Sequence, residues 1–198
     1  MDRSIQVCAD KDLSIWTPGA AHYIETIAKH GKRGDKHMSK ICETVEKYVM
    51  NSANFKHDIL KNKSAKVKGE TLNKCWDLLF KNTNSSAAIE FKSIKQSVFG
   101  KHFSSRVEEA IGVATDARLE QKNIWLGYLL VYDLDAQIPN KRHHKQIEKC
   151  TSFLKALKDK YSLYDSTHLI SIDNEGQVRE LYNSASGFLA SLTTFIKS

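Results

Sequence analysis

The stretch Cys75-Trp76-Asp77-Leu78-Leu79-Phe80, then Asn82-Thr83-Asn84-Ser85-Ser86, then Ala87-Ala88-Ile89-Glu90-Phe91-Lys92 decides how this chain is read. The first piece is short, apolar and bounded by polar residues. The second is turn chemistry, and the third has the make-up of another strand. Together they predict a β-hairpin with a loop of about five residues. Alternate side chains of a strand face the same side. Ile89 and Phe91 therefore enter a core, and Glu90 and Lys92 project together from the opposite face. Antiparallel pairing brings Asp77 next to Glu90. Two neighbouring carboxylates repel each other unless a cation lies between them. Such oxygen ligands suit Mg²⁺, with Mn²⁺ able to substitute and the backbone carbonyl of Phe91 (or Ile89) to complete the shell. A lysine beside that ion, here Lys92, orients a water and favours its deprotonation.

The Glu-x-Lys pattern is weak on its own. It occurs twice, at Glu90-Phe91-Lys92 and at Glu120-Gln121-Lys122. The second copy lies in a polar stretch before a strand and reads as a decoy. Strand-like flanks, the carboxylate on the partner strand and a helix soon afterwards single out the first. The alternative reading is an exposed Glu–Lys pair on a sheet, worth little in energy.

Outward from the hairpin, the pattern is helical on one side and mixed on the other. Thr17-Pro18 opens a helix carrying Ala20, Ala21, Tyr23, Ile24, Ile27 and Ala28, broken by Gly31 and Gly34. A second helix starts near Lys36, with Met38, Ile41, Cys42, Val45, Tyr48 and Val49 as its stripe. The lysine-rich stretch to Lys74 has little periodicity and reads as extended or loop. After the hairpin, Ser105-Arg106-Val107-Glu108 is a capping box opening a helix with Val107, Ala110, Ile111 and Ala114 on one face. Ile124 to Tyr132, apolar throughout, is a central strand. Ile147, Cys150, Phe153, Leu154 and Leu157 mark a helix, and Thr167 to Ile172 a strand ended by Asp173-Asn174-Glu175-Gly176. Phe188, Leu189, Leu192, Phe195 and Ile196 mark a C-terminal helix. The order α-α-β-β-α-β-α-β-α predicts an α/β sandwich, a sheet covered by helices.

The 198 residues, 41% apolar and 27% charged, suit one globular domain and not a disordered chain. Residues 1–70 form its helical, basic part and 71–198 the core. The longest apolar run, Ile124 to Tyr132, is far short of the roughly twenty residues of a membrane span. No signal-peptide pattern opens the chain, so a cytoplasmic location is expected. Cys8, Cys42, Cys75 and Cys150 lack C-x-x-C spacing and read as reduced thiols, not zinc ligands. The net charge of +7 sits almost wholly in residues 1–100. It gathers around Lys32 and Arg33 and in the run with Lys63, Lys66 and Lys68. Clustered lysine suits a phosphate backbone, although a solvated basic surface explains it as well.

At Trp76-Asp77-Leu78-Leu79, Ala87 to Ser93, and Phe99-Gly100-Lys101-His102-Phe103-Ser104-Ser105-Arg106-Val107-Glu108-Glu109-Ala110-Ile111-Gly112, the chain resembles the XhoI-type type II restriction endonucleases. These belong to the PD-(D/E)xK nuclease superfamily. The likeness covers residues 75–115 well and continues loosely through Trp125 to Leu129. It implies a restriction-endonuclease-like α/β/α core with a mixed central sheet flanked by helices. It also implies a divalent metal and hydrolysis of double-stranded DNA at a palindromic site. It maps the superfamily's metal ligands onto Asp77 and Glu90 and its lysine onto Lys92. Trp76 stands where the superfamily pattern has proline.

Members of that superfamily often add a carboxylate from an early helix, which points to Glu43 or Glu46. Ser93 and Arg106 are candidate phosphate contacts, and Arg106 equally suits an acid of its own helix. His143-His144 reads as a basic helix entrance, and Trp125, Tyr128 and Tyr132 as core. The resulting expectation is a Mg²⁺-dependent, homodimeric restriction endonuclease leaving 5′-phosphates. The alternatives are a structure-selective repair or recombination nuclease on the same core, or a non-catalytic basic nucleic-acid-binding module.

Overall fold

The computed structural model describes residues 15–30, 35–53, 58–83, 85–134 and 140–198. Two helices come first, α1 (Thr17–His30) and α2 (Ser39–Ala53), the latter preceded by a 3₁₀ turn at Asp35–Met38. Strands β1 (Asp58–Lys61), β2 (Lys66–Lys68), β3 (Asn73–Cys75), β4 (Leu78–Lys81) and β5 (Ser86–Lys95) follow. Then come α3 (Phe99–Glu120), β6 (Ile124–Asp133), α4 (Lys141–Lys155), β7 (Ser166–Ile172), β8 (Val178–Tyr182) and α5 (Ala185–Lys197).

Six strands form one mixed sheet in the order β1-β4-β5-β6-β7-β8. β5, β6 and β7 run parallel, joined through α3 and α4, and the outer strands are antiparallel. β6 is buried at every position, as a strand covered on both faces must be. Side-chain alternation along β5 splits the core in two. Ala87, Ile89 and Phe91 pack under α1, α2 and α5 with Trp16, Ile41, Val45 and Phe188. Ala88 and Ile94 pack on the other face with α3 and α4, through Ala110, Ala114, Ala117, Ile147 and Leu154. The α/β/α sandwich read from the sequence is therefore the architecture of the chain. Among the described residues, no helix is long and apolar enough to cross a membrane.

Three local readings change. The lysine-rich stretch contains an edge strand of the main sheet, β1, and a separate two-stranded ribbon, β2–β3. The strand expected over Cys75–Phe80 is divided. Asn73–Cys75 pairs with β2, whereas Leu78–Lys81 pairs with β1 and β5. The switch falls at Trp76-Asp77, where the fully buried Trp76 donates its N–H to the Ala65 carbonyl (2.9 Å). Helix α3 begins at Phe99 and not at the Ser105 capping box, and Ile111 is exposed. Phe99 stacks on Phe103 (ring centroids 4.9 Å), and these rings lie edge-on to Tyr132 and Phe153. That burial starts the helix two turns early and leaves Ser105 and Glu108 on its exposed side, so packing overrides the local cap signal.

The hairpin itself forms as read, with Lys81 opposite Ser86 and Asn82 N–H donating to the Ser85 carbonyl (2.9 Å). Asn140 caps α4 by accepting from Arg142 and His143 N–H, and His143 of the expected basic entrance is buried there. Glu120 of the second Glu-x-Lys copy pairs with Lys68 at the end of α3. At the other end of the sheet, His168 on β7 is fully buried between Trp16 and Phe188. Its Nδ1 lies 3.2 Å from the Tyr182 carbonyl. Glu180 accepts the Ala185 N–H at 2.6 Å and lies 3.6 Å from His168 Nε2. Burial lowers the His168 pKa to about 4, against the pull of the Tyr182 carbonyl, so the imidazole is neutral.

Candidate active site

Asp77 owes its position to the change of sheet. β4 pairs with β5 only from Leu78 opposite Ile89, so the next backbone donor of β5 has no ladder partner on β4. The Asp77 carboxylate takes that place, accepting the Phe91 N–H at 2.7 Å. The Asp77 carbonyl in turn accepts the Asn62 N–H (3.2 Å) from the end of β1. The side chain is thereby fixed beside the middle of β5.

Glu90 and Lys92 leave β5 on the face opposite Ile89 and Phe91, as alternation requires. That face is covered by α3, so Glu90 is only 2% exposed. Its Oε1 is shared by two ammonium groups, Lys92 in close contact and Lys74 at 3.1 Å. Its Oε2 is buried with no hydrogen-bond partner. Glu109 on α3 completes the cluster. Glu109 Oε1 lies 3.1 Å from Lys92 Nζ and 3.6 Å from Lys74 Nζ, and Oε2 accepts from Arg106 Nη1 at 2.9 Å. Burial alone would lower the Lys92 pKa, but Glu90 and then Glu109 outweigh it and hold it above the ordinary lysine range. Burial likewise works to raise the Glu109 pKa, and Lys92 and Arg106 override it and bring it down. Opposite charges interact strongly in such a low-dielectric setting.

In front of this cluster lies a cleft of about 800 Å³. Asp77, Phe91, Lys92 and Ser93 form its floor, α2 and its preceding turn supply one wall, and Arg106 and His102 of α3 another. Glu90 sits behind Lys92 and does not line it. A match to the XhoI restriction endonuclease family model spans residues 23–163, from within α1 to beyond the end of α4, and so includes every residue of this site. The chain belongs to the XhoI restriction endonuclease family. It is also similar to the type II restriction enzyme BstVI of Geobacillus stearothermophilus, 26% identical over 197 residues, covering 82% of this chain and 88% of that protein. No solved structure matches it.

Within this XhoI-family fold the other candidates separate clearly. Of the two early-helix acids, Glu43 lines the cleft and is held by Lys40 at 2.9 Å, a bond that lowers its pKa. Glu46 is engaged by Lys61 at 2.6 Å and does not line it. Ser93 lines the cleft with its Oγ 3.3 Å from His37 Nε2. Arg106 lines the cleft while bonded to Glu109, an acid of its own helix. Lys63, Lys66 and Lys68 are exposed on and beside the ribbon and do not line the cleft. Lys32 and Arg33 lie outside the described residues. The lysines that do line it are Lys61, Lys92 and Lys95. Cys42 is also there, but burial and then Asp77 push its thiol up to about 12, so it is a neutral wall and not a nucleophile.

Lys74 and Glu109 were not marked as site residues in the sequence. Glu109 sits three residues after Arg106 and next to buried Ala110, so the helical stripe carried its signal once the start of α3 was known. Among the described residues, no group of three or more His, Cys, Asp or Glu side chains converges to hold a metal. Carboxylates available to a hard cation include Asp77, which lines the cleft, and Glu90, whose Oε2 is unpaired behind it. That set suits an ion such as Mg²⁺, which keeps several waters of its own.

Proposed function

We propose that this chain is a Mg²⁺-dependent endodeoxyribonuclease that cuts double-stranded DNA at a short palindromic site and leaves 5′-phosphates. Its membership in a restriction endonuclease family supplies the class. The observation that carries the chemistry is the bare Oε2 of Glu90, buried on the strand whose Phe91 N–H holds the Asp77 carboxylate. Leaving such an oxygen unpaired costs about 1–3 kcal/mol, and a dication bound between the two carboxylates would remove that cost. Asp77, Glu90 and the Phe91 carbonyl would hold the ion. When bound, it supplies charge neutralisation at the scissile phosphate as phosphorus becomes five-coordinate.

The remaining steps belong to the chain. Lys92 orients the attacking water and favours loss of its proton. The water displaces the 3′ oxygen in line, which leaves the phosphate on the 5′ side. Ser93, Arg106, Lys61 and Lys95 present donors to the duplex backbone along the cleft. Lys63, Lys66 and Lys68, with Lys32 and Arg33, add salt-dependent backbone attraction. Glu43 is the additional acid nearest this work. A palindromic site has two-fold symmetry, so the enzyme acts as a homodimer with each subunit cutting one strand. The chain acts in this reading as one nuclease domain in the cytoplasm.

Incubating the protein with plasmid DNA and Mg²⁺, then sequencing the ends, tests this directly. Discrete fragments with one recurrent end sequence and 5′-phosphates are expected. Cutting that persists in EDTA, or fragments without a common end, would overturn the reading.

A further inference from the structure

The charge balance of the cluster raises a question that Asp77, Glu90 and Lys92 alone do not answer. In the structure Lys92 is held by Glu90, the same carboxylate that a dication would claim. Like charges repel, and a dication repels an ammonium twice as strongly as a single positive charge at the same place would. An ammonium whose only anchor was Glu90 would be driven off as the cation arrived, just when it is needed beside the reacting phosphate.

Glu109 is the second anchor. It reaches Lys92 Nζ at 3.1 Å from a different element, α3, and not from the sheet. Its other oxygen is fixed by Arg106 at 2.9 Å, one turn earlier on the same helix. The neighbouring Ala110 is buried against the sheet, and the Phe99–Phe103 stack pins the start of the helix. The carboxylate is therefore held rigidly. It does not line the cleft, so it faces Lys92 and not the substrate. Lys74, which touches both Glu90 and Glu109, is the more exposed of the two ammonium groups and the one free to leave toward solvent.

We propose that Glu109 is a positioning residue that retains the Lys92 ammonium at the reaction centre after Glu90 has been engaged by the metal. The inference rests on the nuclease reading above, and its test separates the two. Glu109→Gln keeps the shape and removes the charge, and Glu109→Asp keeps the charge on a shorter stem. Single-turnover cleavage by Glu109→Gln should fall about 10- to 100-fold, the usual cost of losing a group that orients a metal-site residue, with Glu109→Asp recovering part of the loss. Duplex affinity measured in Ca²⁺, and Mn²⁺ affinity of the DNA-free protein, should stay close to the wild-type values. In a Lys92→Ala background, Glu109→Gln should cause no further loss, because it acts through Lys92.

Wild-type cleavage by Glu109→Gln while Lys92→Ala is inactive would remove this inference alone. A loss of the same size in the Lys92→Ala background would also overturn it. So would a tenfold or greater drop in Mn²⁺ affinity, which would make Glu109 a metal ligand instead. Wild-type cleavage by Lys92→Ala would end both readings.

Discussion

Two polar clusters are buried in the same sheet, and they solve burial in opposite ways. At His168 the chain suppresses the charge of the imidazole, and the nearby Glu180 carboxylate is turned to the Ala185 N–H. The imidazole is enclosed by Trp16 and Phe188, stays neutral, and sits against a backbone carbonyl. Around Glu90 the chain sets acids and bases against one another. Glu90 and Glu109 face Lys92, Lys74 and Arg106, and the cluster opens through Lys92 onto a cleft. The first arrangement serves the fold. The second holds formal charges where they act strongly on whatever enters, and leaves one carboxylate oxygen unclaimed. Burial by itself is no mark of function. Burial of opposite charges beside an open cleft is such a mark.

The sharpest way to break this contrast is to remove one charge from the open cluster. Lys92→Ala should lower single-turnover DNA cleavage by about a thousandfold, roughly 4 kcal/mol of barrier. Its melting temperature should move by only a few degrees, because Lys74 still neutralises Glu90. A large drop in melting temperature together with retained cleavage would reverse the roles given to the two clusters.

The closed cluster predicts the opposite, a pH effect on stability. Folded His168 stays neutral down to about pH 4, whereas an unfolded histidine takes its proton near pH 6.5. Between these values the unfolded chain binds more protons. Folding stability therefore falls as pH drops from about 6.5 to 4, by about 3 kcal/mol in total. Denaturant midpoints across that window measure it. His168→Asn should lower stability at pH 7 and flatten the slope below it.

Much of this was legible in the sequence, and what was missed has physical causes. The hairpin, the alternation that separates Glu90 and Lys92 from Ile89 and Phe91, and the wholly buried β6 follow from period-two and continuous apolar patterns, which survive any packing. β1 and β8 are short edge strands with only one residue fully buried between them, and they carry almost no pattern. Glu109 was hidden by register. A helix started at Ser105 makes Glu108 a cap, whereas the aromatic anchors that start it at Phe99 leave Glu108 in solvent and turn Glu109 toward Lys92. The charge of Lys63, Lys66 and Lys68 was plain, but whether they line the cleft depends on where the ribbon lies.

A smaller effect tests the mounting of that ribbon. Asp116 of α3 accepts Thr71 N–H and Oγ–H, both at 2.7 Å, and Leu72 N–H at 3.2 Å. Gly69 presses on the same carboxylate so closely that an added Cβ would fall 1.7 Å from Asp116 Oδ2. Gly69→Ala should cost about 2 kcal/mol by chemical denaturation and weaken cleavage by loosening Lys74. The smallest contrast lies between the early-helix acids. Glu43→Gln should reduce cleavage by about tenfold, near 1.4 kcal/mol, and Glu46→Gln should leave it essentially unchanged. Equal losses from the two would remove the distinction drawn from the cleft wall.

The change of sheet at Trp76-Asp77 has a consequence for how such a chain can diversify. Asp77 belongs to neither ladder, and it is tied to Phe91 and Asn62, outside the ribbon. The ribbon can lengthen, shorten or change its sequence while the Asp77 carboxylate keeps its hold on the Phe91 N–H. Lys74 is where the ribbon still reaches the buried acids, so variation there carries a cost that variation elsewhere along it does not.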